Sequence, residues 1–235
     1  MKVSIITPLY NQAEYVAETI ESALAQTYPD VEIIVVNDAS TDNSADVLAR
    51  YEGRIKIVTN AVNRGLPATR NVAINHATGD LILPLDSDDK VDPDYLEKTV
   101  PLMTEGVGIV STYMWFEPVN ECKEKGHAWA RAGEPGSPWH IFAPTKEQIL
   151  NGNSLPVCSL IRRKAVEDAG LYNEEFVDGA EDWGLWAGII SKGWQVRVLP
   201  EYLFHYRVHS KSMCRSAQMA PFHVRKAQLQ AKYGN

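Results

Sequence analysis

The sequence is poor in cysteine and has no long apolar run. Its three cysteines, Cys122, Cys158 and Cys214, are few, odd in number and widely spaced. They provide neither a disulfide framework nor a zinc site, and such usage is typical of a reducing compartment. No run of about 18 apolar residues predicts a membrane-spanning helix, and residues 1–8 are interrupted too soon for a signal peptide. These absences predict a cytoplasmic protein.

The sequence also lacks an excess of basic residues and a glycine-rich phosphate loop. With 23 Lys and Arg against 30 Asp and Glu, its formal net charge is −7. This charge argues against a nucleic-acid partner, because neutralising phosphates requires a basic surface. Residues 8–12, which follow the first predicted strand, contain no glycine, and no Gly-Lys-Ser/Thr loop occurs anywhere. A dinucleotide-binding Rossmann domain and a P-loop enzyme are therefore poor interpretations.

Strands and helices are predicted to alternate over the first part of the chain. Short apolar runs predict four buried strands, at 3–7, 31–36, 55–58 and 81–85. Helical patterns separate these runs, which indicates βαβ units. The prediction is an α/β protein with a mostly parallel central sheet flanked by helices. The 235 residues suffice for one large domain of this kind.

Three carboxylates follow the fourth strand within four residues: Asp86, Asp88 and Asp89. In an open α/β sheet, ligands bind at the carboxyl ends of the strands. Like charges this close repel each other and resist desolvation, so the cluster requires a cation, hydrogen-bond donors or open water. The alternative is a solvated acidic turn, with Asp92-Pro93 capping the next helix.

Two segments of the second half differ from the rest of the chain. Residues 117–144 show no helical or strand period, and a loop of this length is usually functional or mobile. The tail, 216–235, carries a basic amphipathic pattern. Such a helix can lie on an anionic membrane, although it packs more often on its own domain. Both interpretations of the tail stay open.

The clearest functional signal is an ordered series of short motifs. In the first half they are 3–11, 35–42, 63–65, 68–71, 77–80 and the acidic turn 86–89. In the second half they are Glu181-Asp182-Trp183 and the histidine segment 206–210. In order and spacing the chain resembles, over residues 1–215, the family 2 glycosyltransferases of the GT-A (nucleotide-diphospho-sugar transferase) fold. Ala39 is a departure, because many members carry glycine there.

The resemblance implies a function and a division of the chain. It implies a metal-dependent inverting glycosyltransferase that moves a sugar from a nucleotide-diphosphate donor, expected to be a UDP-sugar, to an acceptor hydroxyl. The cofactor would be Mn²⁺ or Mg²⁺, and the acceptor a glycan, a lipid-linked compound or another hydroxyl compound in polysaccharide biosynthesis. Residues 1–112 would bind the nucleotide sugar, 113–215 would bind the acceptor and carry catalysis, and 216–235 would form a helical tail.

The resemblance also assigns roles to individual residues. Nucleotide-sugar binding is carried over to Thr7, Pro8, Tyr10, Asn11, Asp38, Arg70, Asp86 and Ser87. Asp88 would bind the metal, with His209 completing that site and His205 as the second choice. Asp182 would be the catalytic base, since one positioned carboxylate can take the proton of the acceptor hydroxyl. Glu181 would orient the turn or contact the acceptor.

Two other functions remain open on the sequence. A sugar-nucleotide pyrophosphorylase has a related α/β sheet, but it would need a basic, glycine-rich loop where residues 7–12 have neither property. A degenerate module that only binds nucleotide sugars is the second alternative. The intact Asp88 and Asp182 argue against that module.

Overall fold

The computed structural model describes residues 1–118, 138–176, 179–209 and 220–234. Its strands are β1 (Val3–Leu9), β2 (Val31–Asn37), β3 (Lys56–Thr59), β4 (Leu81–Pro84), β5 (Lys90–Val91), β6 (Val107–Pro118), β7 (Pro138–Trp139), β8 (Leu160–Arg162) and β9 (Gln195–Val208). Its helices are α1 (Val16–Leu24), α2 (Ser44–Ala49), α3 (Leu66–His76), α4 (Tyr95–Thr99), α5 (Lys146–Asn151), α6 (Arg163–Ala169), α7 (Glu181–Ser191) and α8 (Phe222–Tyr233), with a short 3-10 helix at Val100–Leu102. Within these ranges, no helix has the length and apolar character that crossing a membrane requires.

The strands join one sheet in the order β3-β2-β1-β4-β8-β6-β9-β5, with β7 beside β6. The first four pair in parallel, and β9 pairs in parallel with β6. β8 runs antiparallel to both β4 and β6, and β5 runs antiparallel to β9. The predicted α/β class is confirmed, with parallel pairing among β1 to β4 and mixed pairing in the rest of the sheet. Because two reversals separate β4 from β6, the carboxyl ends of β1, β2, β4, β6 and β9 meet at one edge.

The sheet is buried on both faces by helices. In β1, Val3 and Ile5 belong to the apolar layer that includes α1, α2 and α4, whereas Ile6 belongs to the layer that includes α3, α5, α6, α7 and α8. This division follows from the two-residue period of a strand. Strands covered on both faces need apolar residues at every position, which explains the continuous runs in the sequence. Each fully buried Ile or Leu contributes roughly 1.5–3 kcal/mol.

The acidic turn after β4 does not cap the next helix. Helix α4 begins after Asp94, whose side chain makes no capping hydrogen bond within the described residues. Asp92, the predicted cap, instead places its Oδ1 atom 2.9 Å from Nε2 of His205 on β9. The capping interpretation of Asp92-Pro93 is therefore wrong, because this carboxylate is used by a strand more than a hundred residues away.

The two unusual segments of the second half are partly described. Strand β6 extends into the predicted loop 117–144 and β7 lies inside it, while residues 119–137 fall outside the described ranges. Helix α8 packs against α5 and α7 and buries Leu229 completely. The tail thus packs on the domain, as one of the two interpretations predicted. Contact with a membrane stays a prediction, as does the domain boundary at 215/216.

Ala39 lies in the left-handed region of the backbone map, with φ at 56°. A side chain in this region costs roughly 1–2 kcal/mol, which glycine avoids. The greater freedom of glycine in the unfolded chain offsets part of this gain. We therefore expect Ala39→Gly to raise the free energy of unfolding by about 0.5–1 kcal/mol in urea titrations. Ala45→Gly, in α2 with ordinary helical geometry, should instead destabilise by a similar amount; the same sign for both variants would contradict this account.

Candidate active site

Asp38 follows β2 and organises the turn between β3 and α3. Its Oδ1 accepts hydrogen bonds from Asn60 Nδ2 at 2.7 Å and from the backbone N–H of Arg64 at 2.9 Å. Its Oδ2 accepts one from the N–H of Gly65 at 2.9 Å. A carboxylate offers about four accepting positions, so these three bonds from described residues leave one for a further donor.

The loops after β1 and β2 are tied together by Asn11. Its Oδ1 accepts hydrogen bonds from the N–H of Thr41 at 2.7 Å and of Asp42 at 3.3 Å, and its own N–H donates to Ser40 Oγ at 3.0 Å. Asn11 has a left-handed φ of 53°, which asparagine tolerates well. The ligand-binding edge of the first two strands is thus held by side-chain hydrogen bonds.

The other predicted nucleotide-binding residues of β1 differ in exposure. Thr7 and Pro8 are buried inside the sheet, whereas Tyr10 is 47% exposed at the edge. All three lie at the same edge as Asn11 and Asp38, because β1 and β2 are parallel neighbours. The fold therefore brings these five predicted residues together. Their contact with a nucleotide stays a prediction.

Arg70 lies between two carboxylates that are far apart in sequence. One terminal guanidinium nitrogen donates to Asp86 Oδ1 at 2.6 Å, and the other donates to Glu181 Oε1 at 2.7 Å. The side chain is 1% exposed, and its guanidinium lies over the ring of Tyr172, 5.3 Å from the centroid. Burial opposes the charge of Arg70, but the two carboxylates hold its pKa well above the ordinary value. No local pattern in the sequence indicates this bridge, which joins α3, the turn after β4 and α7.

The turn after β4 is held by contacts that fix each of its members. Thr19 Oγ1 lies 2.9 Å from the carbonyl oxygen of Ser87 and 2.8 Å from that of Asp89, and its one proton is shared between them. The buried Asp89 accepts a hydrogen bond at Oδ1 from the N–H of Arg207, and its Oδ2 has no partner among the described residues. Burial, with repulsion from Asp88 and Asp86, raises the pKa of Asp89 well above its ordinary range. Asp89 thus anchors β9 to the turn, a role that the sequence did not indicate.

Asp88 and His209 contact each other directly. Nε2 of His209 lies 2.7 Å from Asp88 Oδ2, and the imidazole is buried and stacked on Tyr15 with centroids 4.7 Å apart. The carboxylate is 18% exposed, so a ligand can reach it. These two residues, 121 positions apart, were both predicted for the metal site, and the fold brings them together.

His205 occupies a different place. Its Nδ1 lies 2.7 Å from Glu117 Oε1 and its Nε2 lies 2.9 Å from Asp92 Oδ1, so both ring nitrogens face carboxylates of β6 and of the segment after β5. Of the two histidines left open by the sequence, His209 is therefore the one beside Asp88.

The residues present suit a metal that shares its coordination with a substrate. Among the described residues, no group of three or more His, Cys, Asp or Glu side chains is arranged to enclose an ion. Asp88 and His209 supply one oxygen and one nitrogen at a single position. Mg²⁺ is usually held by one or two carboxylates together with substrate phosphates and waters, and Mn²⁺ also favours oxygen ligands. A two-residue site completed by a diphosphate fits this chemistry.

Asp182 lies at the start of α7, next to the Arg70 bridge. Its Oδ1 accepts a hydrogen bond from the N–H of Trp183 at 2.6 Å, and its Oδ2 accepts one from Asn153 Nδ2 at 3.1 Å. Burial and the adjacent Glu181 raise the pKa of Asp182 to about 7. A carboxylate with this pKa can gain and lose a proton near neutral pH, as a general base must.

Comparison with known proteins gives the family. Residues 4–170 match the sequence profile of glycosyl transferase family 2. The chain is 33% identical, over 90% of its length and 79% of the relative, to WfaP of Escherichia coli, a UDP-Glc:alpha-D-GlcNAc-diphosphoundecaprenol beta-1,3-glucosyltransferase.

Solved structures share the fold at lower identity. Residues 1–349 of TarS from S. aureus, in complex with UDP-GlcNAc, superpose with a TM-score of 0.74 at 22% identity over 100% of this chain and 72% of that one. The mannosyltransferase PcManGT of Pyrobaculum calidifontis, in complex with GDP-Man and Mn²⁺, gives a TM-score of 0.69 at 21% identity over 99% and 62%. The predicted GT-A fold and enzyme class are thereby confirmed: this chain belongs to glycosyl transferase family 2.

Proposed function

We propose that this glycosyltransferase transfers a sugar, with inversion, from a UDP-sugar to an acceptor hydroxyl in glycan biosynthesis. The observation that carries the proposal is the Arg70 bridge. The Arg70 guanidinium contacts Asp86 of the proposed sugar-donor site at 2.6 Å. It also contacts Glu181, the neighbour of the proposed base, at 2.7 Å. The predicted donor site and the predicted base therefore lie on either side of a single side chain. A pyrophosphorylase is excluded by the family.

The donor site is proposed at the edge formed by β1, β2 and β4. Asp38 has an accepting position left for an N–H of the base, and a uracil ring presents one such donor. Ribose would approach Asp86, whose pKa burial raises although Arg70 opposes the rise. Two relatives support a UDP-sugar: TarS was solved with UDP-GlcNAc, and WfaP is named for UDP-Glc. PcManGT was solved with GDP-Man, so a guanine nucleotide is the competing donor in the test below.

Asp88 and His209 would hold a divalent metal, Mn²⁺ or Mg²⁺, beside the donor diphosphate. Such a metal, when bound, neutralises the negative charge that develops on the leaving diphosphate. The residues of this chain prepare that position. Tyr15 packs flat on the His209 ring, and the buried imidazole keeps its Nε2 atom directed at Asp88. Mn²⁺ bound to PcManGT is consistent with this assignment.

Asp182 is proposed as the base. It would accept the proton of the acceptor hydroxyl as the oxygen attacks the anomeric carbon, while the bond from that carbon to the diphosphate oxygen breaks. A single displacement of this kind inverts the anomeric centre. Glu181 is unsuited to the role, because Arg70 engages its carboxylate at 2.7 Å. A positioned base contributes about 10²- to 10⁴-fold to the rate.

The acceptor is proposed to be a hydroxyl of a glycan or a lipid-linked glycan. WfaP, named for a diphosphoundecaprenol-linked acceptor, supports the lipid-linked class. An acceptor of that class would bring the enzyme to the cytoplasmic face of a membrane. The basic residues of α8 are the part of the chain proposed for this peripheral contact.

A thermal-shift panel tests the donor and the metal together. We expect UDP and UDP-sugars, at about 100 times their Kd with Mn²⁺, to stabilise the protein by about 2.7 kcal/mol and to raise Tm by about 5–10 °C. EDTA should remove most of this shift, and GDP should give a smaller one. A larger shift with GDP would overturn the UDP assignment, and equal shifts with and without Mn²⁺ would overturn metal dependence. UDP release from the donors that bind separates the enzyme from a degenerate module.

A further inference from the structure

The loop between α5 and β8 reaches the start of α7 through Asn153. Its Nδ2 donates a hydrogen bond to Asp182 Oδ2 at 3.1 Å. Its Oδ1 accepts one from the N–H of Leu155 at 3.2 Å, inside the same loop. Because the amide oxygen is used by a backbone donor, the NH₂ group is the end that must face Asp182. The orientation of this amide is therefore fixed by the loop itself.

Two further contacts fix α5, the helix that precedes the loop. The indole Nε1 of Trp183 donates to the carbonyl oxygen of Ile149 in α5, and both side chains are buried. Helix α5 begins with a reciprocal capping box between Thr145 and Gln148, which stabilises the helix that precedes the loop. The residue after Asp182 is thus anchored to α5, and Asn153 follows α5 by two residues. This arrangement gives Asn153 a rigid support.

We propose that Asn153 is a positioning residue, which holds the carboxylate of Asp182 in one orientation and favours its ionised form. The inference rests on the proposed role of Asp182 as the base. Within the described residues each carboxylate oxygen has one donor, the Trp183 N–H on Oδ1 and the Asn153 amide on Oδ2, at 2.6 and 3.1 Å. With both oxygens engaged, rotation of the carboxylate would break both bonds. The remaining accepting positions are left for an acceptor hydroxyl.

The charges around Asp182 explain why a neutral donor matters there. Burial, Glu181 on the same helix and Asp86 beyond the bridge raise the pKa of Asp182, whereas Arg70 on α3 and the Trp183 N–H lower it, with a net result of about 7. Burial raises the pKa of Tyr172 further above its ordinary value, so this side chain stays neutral and adds no charge. A hydrogen bond donated to the ionised form favours that form. Loss of the Asn153 donor should therefore leave more of Asp182 protonated at neutral pH.

One substitution separates this role from a purely structural one. Asn153→Asp keeps an oxygen that can accept the Leu155 N–H, so the loop retains its internal hydrogen bond. It also replaces the NH₂ group by a second carboxylate oxygen that faces Asp182 Oδ2. Asn151→Asp is the matched control, because Asn151 is exposed and does not contact Asp182 in the described structure. Its Nδ2 donates to the Glu147 carbonyl at 2.8 Å, and its Oδ1 accepts from Gln230 Nε2 at 3.5 Å. The control adds the same charge two residues away.

The direct test is a carbon-detected NMR titration of aspartate carboxyls in the ligand-free protein, with Asp182 assigned by its loss in Asp182→Asn. We expect Asn153→Asp to move the Asp182 midpoint upward by about 1 pH unit or more, a tenfold or larger change in proton affinity. Asn151→Asp should leave the midpoint within about 0.3 pH units. An unchanged midpoint in Asn153→Asp would overturn the proposal, because the proton affinity of Asp182 would then not depend on the donor that this variant removes. The Asn151→Asp control measures the effect of an added charge in the same segment.

Turnover gives a second readout and separates this proposal from the one on which it rests. UDP release from UDP-glucose and from UDP-GlcNAc with Mn²⁺ is followed from pH 5.5 to 9.5. In Asn153→Asp, the acidic limb of kcat should shift upward and the rate should recover at high pH, with donor KM unchanged. If Asp182→Asn turns over normally, the proposed base is wrong. If Asp182→Asn is inactive while Asn153→Asp keeps the wild-type limb, only the positioning role is wrong.

Discussion

Replacing Asp182 with asparagine should lower the rate of sugar transfer by about 10²-fold or more while donor affinity stays within a few-fold of wild type. Asparagine keeps the size of aspartate and can still accept the Trp183 N–H, but it cannot take a proton at neutral pH. A group used only as the acceptor is deprotonated should affect turnover and hardly affect the bound donor. The loss should therefore appear in kcat.

The measurement combines calorimetry of UDP with Mn²⁺ and a transfer assay with the donor and acceptor that the wild type uses. Glu181→Gln is the informative neighbour. Because Glu181 pairs with the buried Arg70, this change should reduce the free energy of unfolding, by about 3 kcal/mol on the scale of broken buried ion pairs. Its folded fraction should keep more turnover than Asp182→Asn. If Asp182→Asn kept near-normal turnover and folded Glu181→Gln lost it, Glu181 and not Asp182 would be the catalytic base.

The pH dependence of the wild type follows from the same carboxylate. A base must be ionised to accept a proton, and the pKa of Asp182 is raised to about 7. Turnover should therefore be low below pH 6, rise through about pH 7 and level off above it. A limb at the ordinary pKa of an aspartate, near pH 4, would contradict this assignment.

Replacing Asp88 with alanine should abolish the contribution of Mn²⁺ to UDP binding, and the variant should still fold. Residues that hydrogen-bond to metal ligands typically contribute 10- to 100-fold to metal affinity. Loss of a direct ligand should therefore weaken metal binding on the order of 10²-fold or more. The fold should tolerate the change, because Asp88 repels both Asp86 and Asp89. Its removal relieves this repulsion and opens no apolar cavity, which offsets the loss of its 2.7 Å contact with the buried His209.

Calorimetric titration of UDP with Mn²⁺ and with EDTA measures this effect in wild type, Asp88→Ala and Asp94→Ala. Asp94 is the matched control, because it lies in the same part of the chain and its exposed carboxylate forms an ion pair with Lys98 at 2.8 Å. We expect the advantage of Mn²⁺ over EDTA to vanish in Asp88→Ala alone. An unchanged advantage in that variant would remove Asp88 from the metal site.

The parts of the structure that local pattern decides were visible in the sequence. Continuous apolar runs mark strands covered on both faces, so β1, β2 and β4 could be predicted. Their alternation with helices predicted that they pair in parallel. The acids after β4 were placed at the ligand-binding edge for the same reason, since the carboxyl ends of parallel strands share one edge. The sequence showed that Ala39 departs from the glycine that many family members carry. Its φ of 56° in the structure gives the reason for that glycine, which adopts a left-handed backbone without strain.

Contacts between distant parts of the chain were decided only by the tertiary structure. The Arg70–Glu181 pair spans 111 residues and the Asp88–His209 pair spans 121. The motif resemblance ranked His209 before His205, but their surroundings were decided by the end of β9. It brings His209 to Asp88 and leaves His205 between Asp92 and Glu117. Asn153 is a single polar residue in a loop, and its meaning depends on where α5 docks. Periodicity determines which residues are buried, whereas the hydrogen-bond partner of a side chain depends on the packing of whole elements, and that is why the strands could be predicted and the bridge could not.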